Sequence, residues 1–141
     1  MNEVTIIGGT KSSKEMVSKV VHWYLKKMLP RFRTLDITVK LTTCYDKAGA
    51  YGYCSELDNN REFEIEIDKN LRLYDLVSTL CHELTHLKQY ARNEMKHKDD
   101  GRICWKKRVY SDGVAYEDLP WEKEAFKLEH QLVLECFTSC L

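Results

Sequence analysis

The chain has 141 residues, of which 43% are hydrophobic and 31% charged, with only 6 Gly and 2 Pro. That suits one compact domain and excludes a disordered or collagen-like polymer. Its 22 basic and 22 acidic residues cancel, which removes the positive field that non-specific binding to nucleic acid or acidic membranes draws on. No run reaches the roughly 18 apolar residues of a membrane-spanning helix, and Met1 to Thr10 lacks the pattern of a secretory signal. A cytoplasmic protein is therefore expected, with its six cysteines reduced; there is no CxxC pair to suggest a zinc knuckle.

In chain order, Val4 to Ile7 reads as a short strand. The following Gly8-Gly9-Thr10-Lys11-Ser12 departs from a phosphate-binding loop because Thr10 interrupts it. Ser12 and Glu15 form an S-x-x-E capping pattern before Met16, Val17, Val20, Val21, Tyr24, Leu25 and Met28, whose spacing predicts a helix ending near Pro30. Residues 33–43 and 50–57 read as strands, and residues 62–67 alternate Phe63, Ile65 and Ile67 with Glu62, Glu64 and Glu66. The Asp58-Asn59-Asn60 cluster supplies a turn between the last two. Three successive strands predict an antiparallel meander with the glutamates facing solvent.

From Leu73 to Ala91 the apolar residues Leu73, Leu76, Val77, Leu80, Leu84 and Leu87 fall on one helical stripe, which predicts a helix packed on the sheet. Residues 93–101 read as a polar loop and residues 102–117 as irregular strand or hairpin. Pro120 opens a last helix through about Phe137. The expected architecture is a single α+β domain over residues 1–141, three main helices on a small, mostly antiparallel sheet.

The chemistry concentrates in His82-Glu83-Leu84-Thr85-His86, an HExxH sequence inside the most regular helical segment. Residues four apart on a helix lie about 40° apart in rotation and about 6 Å along the axis, so both imidazoles reach one ion. They fall opposite the apolar stripe, beside Asp75, Thr79, Gln89 and Asn93, on a face that another element must roof if it is to form a cleft. Zinc is the default ion for two imidazoles and a carboxylate with one position left to water, and Glu83 stands where a general base would take that water's proton. The third ligand must come from elsewhere. Glu122 and Glu124, in the first turns of the last helix, are the leading candidates; His97 competes from a run of Lys and Asp that reads as solvated loop. Cys81 is 100° from its ligand neighbour and points off the metal. Tyr110 and Tyr116 lie between the two site helices and are the candidates for stabilising an oxyanion, with Tyr110 preferred. Lys106-Lys107-Arg108 is a small basic cluster that could touch the phosphate backbone of a nucleic acid, a partner the net charge does not support, though short runs of this kind are usually solvated surface.

The segments TLCHELTHLKQYAR (79–92), the W-x4-Y of Trp105 to Tyr110 and LPWEKEA (119–125) resemble the small SprT-like or minigluzincin metallopeptidases of phages and bacteria, and the similarity runs over roughly residues 45–130. The resemblance implies a zincin-like fold, one Zn²⁺ per chain, a protein or peptide substrate held along a sheet edge, and Glu122 as third ligand with His82 and His86. Two departures stand out: the third histidine of SprT proper has no assigned counterpart, and Phe126 occupies the position where many gluzincins carry an Asp or Asn that orients a ligand. The expected activity is hydrolysis of peptide bonds by metal-activated water. The alternatives are a catalytically silent zinc-containing binding or regulatory module and a metal-dependent hydrolase of a non-protein amide.

Overall fold

In the computed structural model, which describes residues 1–43, 51–110 and 113–141, the chain forms a mixed α and β structure of three helices and two small sheets with no barrel. The order is β1 (Glu3–Ile7), α1 (Lys11–Met28), β2 (Asp36–Thr42), β3 (Gly52–Glu56), β4 (Glu62–Asp68), α2 (Leu73–Ala91), β5 (Met95–His97), β6 (Ile103–Trp105), β7 (Arg108–Tyr110), a 3-10 turn at Tyr116–Asp118 and α3 (Pro120–Ser139). None of the described helices is long and apolar enough to cross a membrane.

The main sheet has strand order β1-β2-β4-β3. β2 runs parallel to both β1 and β4, and only β3 pairs antiparallel. The expected antiparallel meander is therefore replaced by a mixed sheet. α1 carries the chain from β1 across to a parallel β2, as a crossover helix does. β4 takes the central place because its Phe63, Ile65 and Ile67 are almost fully buried, whereas Gly52-Tyr53-Cys54-Ser55-Glu56 in β3 is half exposed and suits an edge.

The parallel register aligns Ile37 with Phe63, Val39 with Ile65 and Leu41 with Ile67, so apolar rows meet one face of the sheet. On that face α1 lays Val17, Val20, Val21 and Tyr24, and α2 lays Val77, Leu80, Leu84 and Leu87, all buried. Burial on this scale stabilises by about 1.5–3 kcal/mol per large apolar side chain. The glutamates of β4 remain half-buried on the opposite face, where Lys40 reaches Glu64 at 3.0 Å. The Tyr24 hydroxyl and Thr85 Oγ1 lie 2.9 Å apart inside the core and tie α1 to α2 beside the HExxH segment.

Two local expectations move. Thr10, not Ser12, caps α1: its side chain accepts from the Ser13 amide at 3.1 Å while Ser13 Oγ accepts from the Thr10 amide at 2.8 Å. The Gly8-Gly9 turn that delivers Thr10 has positive φ at both residues, and a Cβ on Gly8 would lie 2.3 Å from the Leu41 carbonyl oxygen. Residues 93–101, read as loop, contain β5, which pairs with β6 to begin a second, antiparallel sheet of three strands. The hairpin expected in residues 102–117 is β6–β7, with Lys106 and Lys107 at its turn. Ala50, at the start of one expected strand, and Ser111 and Asp112, inside the segment 102–117, lie outside the described residues. The described cysteines, Cys54, Cys81, Cys104, Cys136 and Cys140, are free thiols; Cys44 lies outside them.

Candidate metal centre

α2 is buried along nearly its whole length from Leu76 onward, and its two sides are buried differently. One side meets the sheet and α1. The other, carrying His82, Glu83 and His86, is roofed by α3, which packs along α2. The N-terminus of α3 delivers Glu122 to the space between the two imidazoles. Glu122 sits in the first turn after Pro120, where the helix dipole favours an anion.

Glu122 Oε1 lies 3.1 Å from His82 Nε2 and 3.1 Å from His86 Nε2. One ligand atom from each of the three residues can be chosen so that all lie within 4.8 Å of one another, and all three residues are buried. Among the described residues this is the one cluster of His, Cys, Asp or Glu with that geometry. The fit to a cation can be tested on proton placement. Gln89 Nε2 donates to the Trp121 carbonyl at 2.9 Å, an acceptor only, so Gln89 Oε1 faces His86 Nδ1 at 2.8 Å and requires a proton there. Glu129 Oε1 faces His82 Nδ1 at 3.1 Å and requires the same. In a neutral imidazole that leaves Nε2 as a bare lone pair, and both Nε2 atoms then point at a carboxylate oxygen. Lone pairs converging from three sides are the donor set of a divalent metal. The 3.1 Å contacts also approach the edge of about 3.3 Å expected between ligands of a tetrahedron with bonds of about 2.0–2.1 Å.

Protons hold the same cluster together when no metal does. Burial works against the His82 imidazolium, yet its contacts with Glu122 and Glu129 outweigh that and raise its pKa to about 9. His86 shifts upward by the same contest of burial against Glu122. Burial pushes Glu122 upward, but hydrogen bonds from both histidines prevail and bring its pKa down to about 2. Glu83 goes the other way: burial dominates the attraction of His86 and His82 and holds its carboxyl above the usual range, the direction a general base near neutrality needs.

These four residues open onto a cavity of about 590 Å³, whose other walls include Gly52, Tyr53 and Cys54 of the edge strand β3, Tyr116 and Trp121. Of the two tyrosines considered for an oxyanion, Tyr116 lines this cavity, with burial and the Glu122 carboxylate holding its phenol above the ordinary range. Tyr110 stands edge-on to Trp121 at 5.5 Å between ring centres and borders a separate small cavity instead. Glu124, the other carboxylate of the α3 start, pairs with Lys88 at 2.9 Å and accepts from Gln89, and so braces the network behind His86. His97 lies on β5, its Nε2 2.7 Å from the Tyr90 hydroxyl, at the cavity rim and outside the three-residue cluster. Cys81 is fully buried in the core and its thiol is pushed up to about 12 by burial, away from the ligand set.

Glu129 was absent from the sequence reading, and Gln89 figured there only as part of a polar face. Glu129 is seven residues after Glu122, two turns along the same side of α3. Phe126, between them, puts its ring 4.7 Å from that of His82, edge to face, so the outer carboxylate comes one turn later than the position Phe126 fills. Neither a protein-family profile, nor a curated protein, nor a solved structure matches the chain.

Proposed function

We propose that this chain is a zinc-dependent metallopeptidase of zincin-like, SprT-like or minigluzincin type. The observation that carries the reading is the convergence of His82, His86 and Glu122 on one point, with the buried carboxyl of Glu83 on the same cavity. In this reading His82, His86 and Glu122 would hold the ion, with Glu129 and Gln89 fixing the tautomer and orientation of the imidazoles. Zinc supplies Lewis acidity, lowering the pKa of water and polarising a carbonyl. Glu83 takes a proton from the attacking water and returns it to the leaving amine, a role its raised pKa supports. Tyr116 takes over the oxyanion role from Tyr110, because it is the tyrosine on the cavity. β3, at the edge of the sheet among the described residues and beside the site, offers an edge along which an extended peptide would pair.

The test is a paired measurement on Glu83→Gln. Peptide cleavage should fall by about 10²–10⁴-fold, while bound zinc stays near one equivalent per chain. Turnover that survives the change overturns the mechanism. A wild-type protein that binds one zinc and cleaves neither peptides nor other amides would instead be a silent binding module.

A further inference from the structure

The geometry points to a second element of the site: a pocket for one large apolar side chain of the substrate, walled by Tyr90, Met95, Ile103 and Trp121. It rests on the peptidase reading above and names the substrate class that this site takes.

The second sheet builds the pocket. α2 continues one turn past His86 to Tyr90, and the chain reverses at Asn93, which has a φ of 59°. β5 then returns alongside the site, anchored by the Glu94 amide on the Gln89 carbonyl at 2.9 Å. In the β5–β6 register Met95 opposes Trp105 and His97 opposes Ile103, so these side chains share one face of the sheet. Trp105 on that face meets Trp121 of α3, ring centres 6.2 Å apart, which directs the face inward. Met95, His97 and Ile103 reach the cavity that holds Glu83 and the ligand cluster.

The chemistry of this wall selects its guest. Met95, Tyr90 and Trp121 are buried, with only 4–6% of their surface exposed. The polar groups at the rim, the Tyr90 hydroxyl and His97 Nε2, are engaged with each other at 2.7 Å. Among the described residues lining the cavity there is no Lys or Arg, and its acids are Glu83 and Glu122 of the centre itself. A charged guest would lose its hydration against this wall without a partner, whereas an apolar one gains by leaving water. The cavity, at about 590 Å³, far exceeds the roughly 30 Å³ of a water molecule.

The test uses the full chain and keeps binding separate from turnover. Fluorescein-labelled, alanine-rich nonapeptides with Leu, Ala or Asp at the centre are titrated into zinc-loaded Glu83→Gln protein, and the same peptides are offered to wild type for cleavage. The Leu peptide should bind at least about tenfold more tightly than the Ala or Asp peptide. Adding Ile103→Trp, which fills the pocket, should bring Leu down to the level of Ala with zinc still bound. Met95→Ala, which enlarges it, should move the preference from Leu to a matching peptide with Phe at the centre, added to the panel for this variant, and it serves equally if Ile103→Trp fails to fold. Equal binding of all three peptides, or a Leu preference indifferent to both substitutions, overturns the pocket. Selective binding without cleavage by wild type leaves the pocket standing and removes the peptidase reading. Cleavage without selectivity does the reverse.

Discussion

The two sides of α2 obey opposite rules of burial. Toward the sheet, Val77, Leu80, Leu84 and Leu87 are completely buried among other apolar side chains, and the hydrophobic effect is sufficient reason. Toward α3, His82, Glu83, His86, Lys88 and Gln89 are buried to nearly the same degree, at a cost that only hydrogen bonds and opposite charges offset. The first side explains why the domain folds. The second is expensive for a fold to maintain, and the proposed metal site would account for that cost.

Adjacent residues sharpen this contrast most. Leu84→Ala, one position from Glu83, should destabilise by about 2–5 kcal/mol in urea unfolding and leave the ligand set unchanged. Glu83→Gln should do the opposite. A carboxyl whose pKa is raised in the fold opposes folding above its ordinary pKa of 4.5, so the amide should hold or raise the melting temperature near neutral pH while cleavage disappears. If Glu83→Gln unfolds the protein as Leu84→Ala does, the two sides of α2 are not distinct in kind.

The polar side should also betray itself by its pH dependence when zinc is stripped. The His82 pKa rises from 6.5 to about 9 on folding, so its contribution is fully present below 6.5 and is lost as pH climbs through 9. The raised Glu83 pKa acts in the same alkaline direction. Glu122 is depressed from 4.5 to about 2; its contribution is present above 4.5 and is lost as pH falls toward 2. The stripped protein should therefore be most stable between about 4.5 and 6.5. Saturating zinc, which requires neutral imidazoles, should flatten the alkaline loss. Melting temperatures across pH in chelator and in zinc would separate the limbs, and a stripped protein that gains stability from pH 6.5 to 9 contradicts the assignment.

Glu129→Gln probes the same side more gently. Its carboxylate touches His82 Nδ1 at 3.1 Å from outside the ligand cluster. Loss of its charge should weaken zinc by about 10–100-fold in competition with a chelating indicator, with little change in unfolding. This residue also marks the limit of what the chain reveals unaided. α2 and its HExxH were legible because local periodicity and spacing determine both; a helix start marked Glu122 and Glu124 alike, and only the family resemblance favoured Glu122. Glu129 was not legible, since nothing local distinguishes it until the path of α3 over α2 is known. The sheet order failed for a related reason: alternation tells which residues face the core, but the pairing of β2 with β4 rather than β3 depends on competition among strands distant in sequence. Tyr110 was preferred to Tyr116 with no local signal to decide between them, and it is Tyr116, in the 3-10 turn Tyr116–Asp118, that lines the cavity.

The smallest expected effect lies on the apolar side, at the cap of α1. Both Thr10 and Ser12 precede the helical run, and Ser12 with Glu15 has the more familiar pattern. Ser12 is nevertheless inside α1, whereas Thr10 has extended backbone, φ −89° and ψ 167°, and exchanges hydrogen bonds with Ser13. Thr10→Ala should accordingly cost about 1 kcal/mol, and Ser12→Ala should stay within about 0.5 kcal/mol of wild type. The difference arises before the helix begins. Gly8 and Gly9, both at positive φ, end β1 and turn the chain soon enough for Thr10 to meet the first free amides of α1. Equal costs for the two substitutions would return the cap to Ser12 and leave the Gly8-Gly9 turn without its role in starting the helix that closes the apolar side.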